Sequence, residues 1–147
     1  MIMASTSHVR TVRERVAQLL RDDSDFDHIP IIEGPTDLVQ LKYPCVVVAV
    51  VGQNYYPFAI GGRYERELTV RVDCYAKEME TEKAMETVEA LADDVVDNFI
   101  ANYKLQKDNS PAVRLATGYT IAYDLIEAGQ MILRDAAVIF STQVEIS

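Results

Sequence analysis

Asp23, Asp25 and Asp27 stand at alternate positions, the spacing with which calcium loops begin, because a hard cation needs several oxygens brought around it. The pattern fails further on. Its sixth position is His28 where a glycine would make the sharp turn, Pro30 follows, and its twelfth is Gly34 in place of a bidentate glutamate. A solvated loop is the expectation. His8 and His28 belong to no metal-ligand spacing, and the chain has no Gly-x-Ser-x-Gly elbow, no phosphate-binding lysine loop and no dinucleotide glycine fingerprint. Cys45 and Cys74 lie in predicted strands without paired spacing, so buried free thiols are expected over a disulfide or half a zinc site. Scattered carboxylates can still converge in space as a general acid and base, which leaves a small ligand-binding or enzymatic α+β domain as an alternative. The leading expectation assigns no catalytic residue, metal or cofactor and reads the chain as no enzyme.

These residues must be held by one domain. At 147 residues a chain hides roughly two thirds of its unfolded surface and needs no staple. The hydrophobic fraction of 49% with 25% charged residues is that of an ordinary globular protein, so neither disorder nor a fibrous repeat is indicated. The formal charge of −9 argues against sequence-reading nucleic-acid binding, which gains affinity by neutralising phosphates with Lys and Arg. It suits a surface that nucleic acid must slide past. The longest apolar run, Cys45 to Val51, is far shorter than the roughly 20 residues of a membrane-spanning helix, and its β-branched content favours strand. Residues 1–10 lack a basic region followed by an apolar stretch, so folding in a cytoplasm is expected.

Apolar residues at helical spacing (Val9, Val12, Val16, Leu19, Leu20) predict a first helix over Ser7 to about Arg21, capped by Thr6 or Ser7. Asp22, Asp23 and Asp25 sit badly against the negative end of its dipole and should stop it. A short edge strand at Ile29 to Ile32 is followed by breaks at Gly34-Pro35 and Tyr43-Pro44. Cys45 to Val51 lacks polar alternation, which predicts a central strand covered on both faces. Glu67 to Tyr75 alternates Leu68, Val70, Val72 and Cys74 against Glu67, Thr69, Arg71, Asp73 and Tyr75, a strand with two unlike faces that should pair antiparallel with the first.

Between those strands Gly61-Gly62 supplies a tight turn, so a hairpin should project beyond the core, with Pro57 at an edge or in a loop because it cannot donate to a ladder. Tyr55, Tyr56, Phe58, Ile60, Arg63 and Tyr64 lie along this arm. Its aromatic residues either fold back as satellite core or stay exposed until a partner covers them. Thr81 should cap a second helix reaching about Tyr103, with Met85, Val88, Leu91, Ala92, Val95, Val96, Phe99 and Ile100 on its apolar side and Glu82, Glu86, Glu89, Asp93, Asp94 and Asp97 outside. That acidic face is either a solvated surface or a field turned to a charged polymer or a basic partner. Two closing strands follow, about Arg114 to Ile126 and Met131 to Ile146, turned at Ala128-Gly129, with Gly118 marking a bulge or close approach. The sum is an α+β domain over 1–147: a mainly antiparallel, mixed sheet of about four to five strands packed by two helices, with a protruding β-hairpin.

This order of helix, Tyr43-Pro-Cys-Val-Val-Val48 strand, glycine-turned hairpin ending in Arg63-Tyr-Glu-Arg-Glu-Leu-Thr-Val70, acidic helix after Thr81 and paired closing strands resembles tail terminator (tail completion) proteins of tailed bacteriophages. The likeness covers nearly the whole chain, with the run 22–27 and the connection 102–114 standing apart as local insertions. It implies a structural subunit of a ring, usually a hexamer, that caps the tail tube, ends its polymerisation and presents its other face to the head connector. DNA would pass through the lumen without specific binding. No catalysis, cofactor or membrane is implied, and the place of action is the virion, after assembly in the host cytoplasm. The residues suit such work: a rigid sheet for the ring, the 55–64 segment as a contact arm, and negative charge that discourages DNA from sticking. Another neck, head-completion or tail tube protein would use a similar sheet and arm.

Overall fold

In a computed structural model of the chain, the described residues are 8–57, 64–78, 81–102, 113–114 and 118–146, with the backbone alone described for His8, 55–57, 64–66, 81–82, 113–114 and 143–146. The elements run α1 (His8–Arg21), β1 (Ile31–Glu33), β2 (Cys45–Pro57), β3 (Tyr64–Lys77), α2 (Thr81–Ala101), β4 (Val113–Arg114), β5 (Thr120–Ala128) and β6 (Met131–Ile146). One sheet takes all six strands in the order β1-β2-β3-β6, with β4 and β5 both paired to β6. Only β1 against β2 is parallel. The expected α+β class and mostly antiparallel sheet are therefore what forms, with the two-residue β4 as the strand the sequence did not separate from β5.

Alternation on β3 decides where the core lies. Leu68, Val70, Val72 and Cys74 face both helices, together with Val46 and Val48 of β2 and Ala136, Val138 and Phe140 of β6. Against them α1 lays Val12, Val16, Ala17 and Leu20, and α2 lays Val88, Leu91, Ala92, Val95 and Phe99, residues spaced to share one helical face. The first helix sits over β1 and β2, the second over β3 and β6. Where α2 ends, the rings of Phe99, Tyr119 and Phe140 meet at centroid distances of 4.9 to 6.0 Å.

The outer face of the sheet holds a second, smaller cluster. Cys45, Val47, Tyr75, Ala128 and Leu133 are buried there, covered by Leu38, Leu41 and Tyr43 from the connection between β1 and β2. The Tyr43 hydroxyl donates to the Leu38 carbonyl and so holds that connection closed. Gly34 lets it lie flat: a β-carbon there would come within 2.9 Å of Val47 Cγ1, while the Gly34 N–H donates to the Val48 carbonyl at 2.7 Å. The expectation that the Cys45 strand is covered on both faces holds from Cys45 to Val48, since even-numbered residues enter one cluster and odd-numbered ones the other. The same alternation puts Cys45 and Cys74 on opposite faces, both free and buried.

Three expectations need correction. The bulge is not at Gly118, around which a β-carbon would meet nothing within 4 Å; it is at Val51, where the register steps from Val50↔Val70 to Gly52↔Thr69. Met85 and Ile100, assigned to the apolar side of the second helix, are exposed, because α2 makes its main sheet contacts with β3 and β6. The first strand is Ile31–Glu33, two residues later than predicted, since Phe26 is buried in the 3-10 turn Ser24–Phe26 that follows α1. The caps assigned to Thr6 or Ser7 and to Thr81, and the end of the second helix at Tyr103, fall outside the described residues or side chains.

Candidate functional site

The predicted contact arm lies at the far end of the β2–β3 ladder. Leu68 is the last fully buried helix-facing residue of β3 among the described side chains, and the β2–β3 ladder continues for four more pairs, Asn54↔Glu67, Tyr55↔Arg66, Tyr56↔Glu65 and Pro57↔Tyr64. β6 runs alongside to Tyr64↔Ile146, and β4 pairs with it at Val144 and Gln143. The extension is thus a ladder of at least three strands where the sequence predicted a two-stranded hairpin. The reason is the length of β6, whose alternation the sequence showed without showing its register. The bulge at Val51 stands at the base of the extension, where such an insertion bends and twists a strand. Tyr55 and Tyr56 lie in β2 and Tyr64 opens β3; Phe58, Ile60 and Arg63, with the Gly61-Gly62 turn, lie outside the described residues.

Sequence reasoning missed a buried carboxylate pair. Asp73 on β3 and Asp135 on β6 are offset by two residues along the ladder, on the same face, since Tyr75 is opposite Asp135 and Ala137 opposite Asp73. Asp135 is 1% exposed and Asp73 7%. Arg71, two residues before Asp73 and on the same face, donates through Nε to both Asp73 oxygens at 3.0 and 3.1 Å and through Nη2 to Asp135 Oδ2 at 3.3 Å. Asp135 Oδ1 is left buried without a partner among the described groups. Burial, then the hydrogen bond to Asp73 and its negative charge, raise the Asp135 carboxyl to about 8, with Arg71 acting in the opposite sense. A proton on Asp135 resolves the arrangement: one acid, one carboxylate and one guanidinium sum to zero charge, and two acceptors are no longer forced together. The polar face that alternation assigned to β3 was the available signal; what it lacked was the strand opposite.

The acidic residues placed on α2 and after α1 meet each other. Asn98 Nδ2 donates to the Leu19 carbonyl at 3.1 Å and to Asp23 Oδ2 at 2.9 Å, tying the end of α1 to α2. Asp23 also accepts from the Asp25 N–H at 2.9 Å, so it caps the following 3-10 turn. Burial and the charges of Asp25, Asp97, Asp23 and Asp93 push the Asp94 carboxyl up. Among the described residues no group of three or more His, Cys, Asp or Glu is placed to hold a metal ion. No described helix is long and apolar enough to cross a membrane.

Among the described residues, clefts border α2 on two sides. One of about 390 Å³ lies at its start between Tyr43, Lys77, Lys83 and Thr87; the Thr87 hydroxyl is already bonded to the Lys83 carbonyl at 2.8 Å. The other, about 190 Å³, lies between α2 and β5–β6 and is lined by Met85, Glu89, Tyr123 and Arg134, smaller than the roughly 300 Å³ at which small-molecule sites begin. Arg134 is engaged by Glu78. A scan against protein-family models gives no match to the chain, and a search of curated proteins gives no significant match.

Proposed function

We propose that this chain is a structural subunit that works by assembly, as a tail terminator of a tailed bacteriophage: a ring that caps the tail tube, ends its growth and joins the tail to the head connector. The observation that carries this reading is the ladder of β2, β3 and β6, which continues for four more pairs past Leu68, the last buried helix-facing residue of β3 among the described side chains. A protein that needed only a core would gain little by extending three strands beyond it, whereas a subunit that grips neighbours needs a stiff projection, and a multistranded ladder is stiffer than a lone hairpin. The net charge of −9 supports a lumen that DNA traverses without adhering.

The test is sedimentation velocity with negative-stain imaging of the full chain, alone and after replacing Tyr55, Tyr56 and Phe58 together by Ser. The expected outcome is a discrete ring for the parent and, for the variant, unchanged melting with loss of the ring or of tail joining. Loss of stability instead would place those rings in the core. Open-ended tubes would point to the tube protein itself, and a compact monomer that takes a small ligand beside Lys77 and Lys83 would overturn the assembly reading.

A further inference from the structure

Four of the exposed large hydrophobic residues gather at one edge of the sheet. Tyr123 and Leu125 on β5, Ile132 on β6 and Met85 on α2 are 60, 50, 44 and 41% exposed. The register Tyr123↔Ala136, Leu125↔Arg134 and Glu127↔Ile132 puts the strand residues on the helical side of the sheet, where Met85 and Glu89 of α2 adjoin Tyr123. No described strand pairs with the outer edge of β5. An apolar edge strand of this kind is a hazard in an isolated molecule, which proteins blunt with lysine, proline or a covering element. β5 has neither lysine nor proline, no described strand covers its edge, and its charged residues are the acids Asp124 and Glu127.

The opposite edge is built differently. β1 has three residues, and Arg21 of α1 donates to the Ile31 carbonyl at 2.8 Å on that side. Arg13 and Arg21 both reach Glu33, at 3.4 and 3.6 Å, so two guanidinium groups share one carboxylate there. Over its length α1 carries four arginines against one glutamate, and α2 six acids against one lysine. Of the acids that follow α1, Asp23 is held by Asn98 and Asp25 acts on Asp94, both toward α2; on the flank itself Arg10 pairs with the exposed Glu14 at 2.7 Å.

We infer that the β5 edge, with Met85 and Glu89 beside it, is where a second copy of this chain docks through its α1–β1 flank. The inference rests on the assembly reading above and names its contact. Charge complementarity selects the occupant: acids Glu89 and Glu127, on the same side as Tyr123 and Leu125, would face Arg10, Arg13 and Arg21, whose alkyl stems can cover the Tyr123 and Leu125 side chains while their heads reach carboxylates. Because the two flanks are opposite edges of one sheet, the contact is head-to-tail, and repetition by a closing rotation gives a ring.

A charge-exchange experiment on the full chain tests it. One variant reverses the acidic flank (Glu89→Lys with Glu127→Lys); another reverses the basic flank (Arg10→Glu with Arg13→Glu). Each alone should weaken assembly by about tenfold or more while circular dichroism and melting show a folded protein, and an equimolar mixture should restore rings of alternating subunits. A third variant, Tyr123→Ser with Leu125→Ser, should also prevent assembly and should not be rescued by mixing, which keeps the inference open to refutation if the arginine variant fails to fold. Rings that form in the parent and survive both the acidic-flank and the β5 substitutions overturn this contact and leave the assembly reading standing. A parent that sediments as a monomer into the millimolar range overturns both.

Discussion

Replacing Asp135 by Asn should make the protein more stable at neutral pH and remove a pH dependence that runs against the usual sense for a carboxylate. The native carboxyl sits at about 8, raised first by burial and then by Asp73, against about 4 in an unfolded chain. Between those values the folded state holds a proton that the unfolded state has released. The stabilisation is therefore complete below about pH 4 and is lost as pH rises toward 8, at up to about 1.4 kcal/mol per pH unit. From pH 5 to 7 that bounds the loss at about 3 kcal/mol, and coupling of Asp135 to Asp73 and Arg71 spreads the titration, so about 2 kcal/mol is expected. The carboxamide has nearly the shape of the acid, can donate to Asp73 and accept from Arg71, and cannot ionise. Urea unfolding at fixed protein concentration and at pH 5, 6 and 7 measures this: the parent midpoint should fall across the series, and that of Asp135→Asn should stay level, with equal slopes for both. Parallel pH profiles for parent and variant would refute the raised Asp135 carboxyl.

Three further outcomes follow from packing. Phe99→Ala empties the ring cluster with Tyr119 and Phe140, where Phe99 is 0% exposed, and should cost about 3–5 kcal/mol in denaturant unfolding with loss of near-UV dichroism. Gly34→Ala drives a methyl to within 2.9 Å of Val47 Cγ1 and should cost about 1–3 kcal/mol, read as a melting temperature lowered by roughly 2–4 °C for each kcal/mol. Cys45 and Cys74 should resist a thiol reagent at pH 8 in the native state and react promptly in urea, because burial pushes the Cys45 thiol up to about 12 and raises that of Cys74 as well. Prompt native labelling of either would show that its face of the sheet opens.

Much of the architecture follows from local pattern. The repeat of Val12, Val16 and Leu20 and that of Val88, Val95 and Phe99 specify two helices and the faces they bury, because a helix brings residues three and four apart together. The alternation from Leu68 to Cys74 likewise specifies which side of β3 meets them, and the unbroken run from Cys45 specifies a strand with two covered faces. Gly34 and Pro35 mark a break without saying that the segment after it would close over Val47 and Tyr75.

What pattern could not supply is everything that depends on which strand lies beside which. Asp73 and Asp135 are sixty-two positions apart and meet around Arg71 only because β3 and β6 pair in one register. The β2–β3 ladder has a third strand along its far end because β6 is long enough to follow it outward, and Met85 is exposed because α2 makes its main sheet contacts with β3 and β6. The sequence by itself determined the elements and their inward faces, since backbone geometry and burial are read within a few residues. Tertiary structure decided the buried charge cluster, the exposed edge and the opposed flanks, since desolvation and electrostatic strength depend on neighbours the chain brings together only on folding.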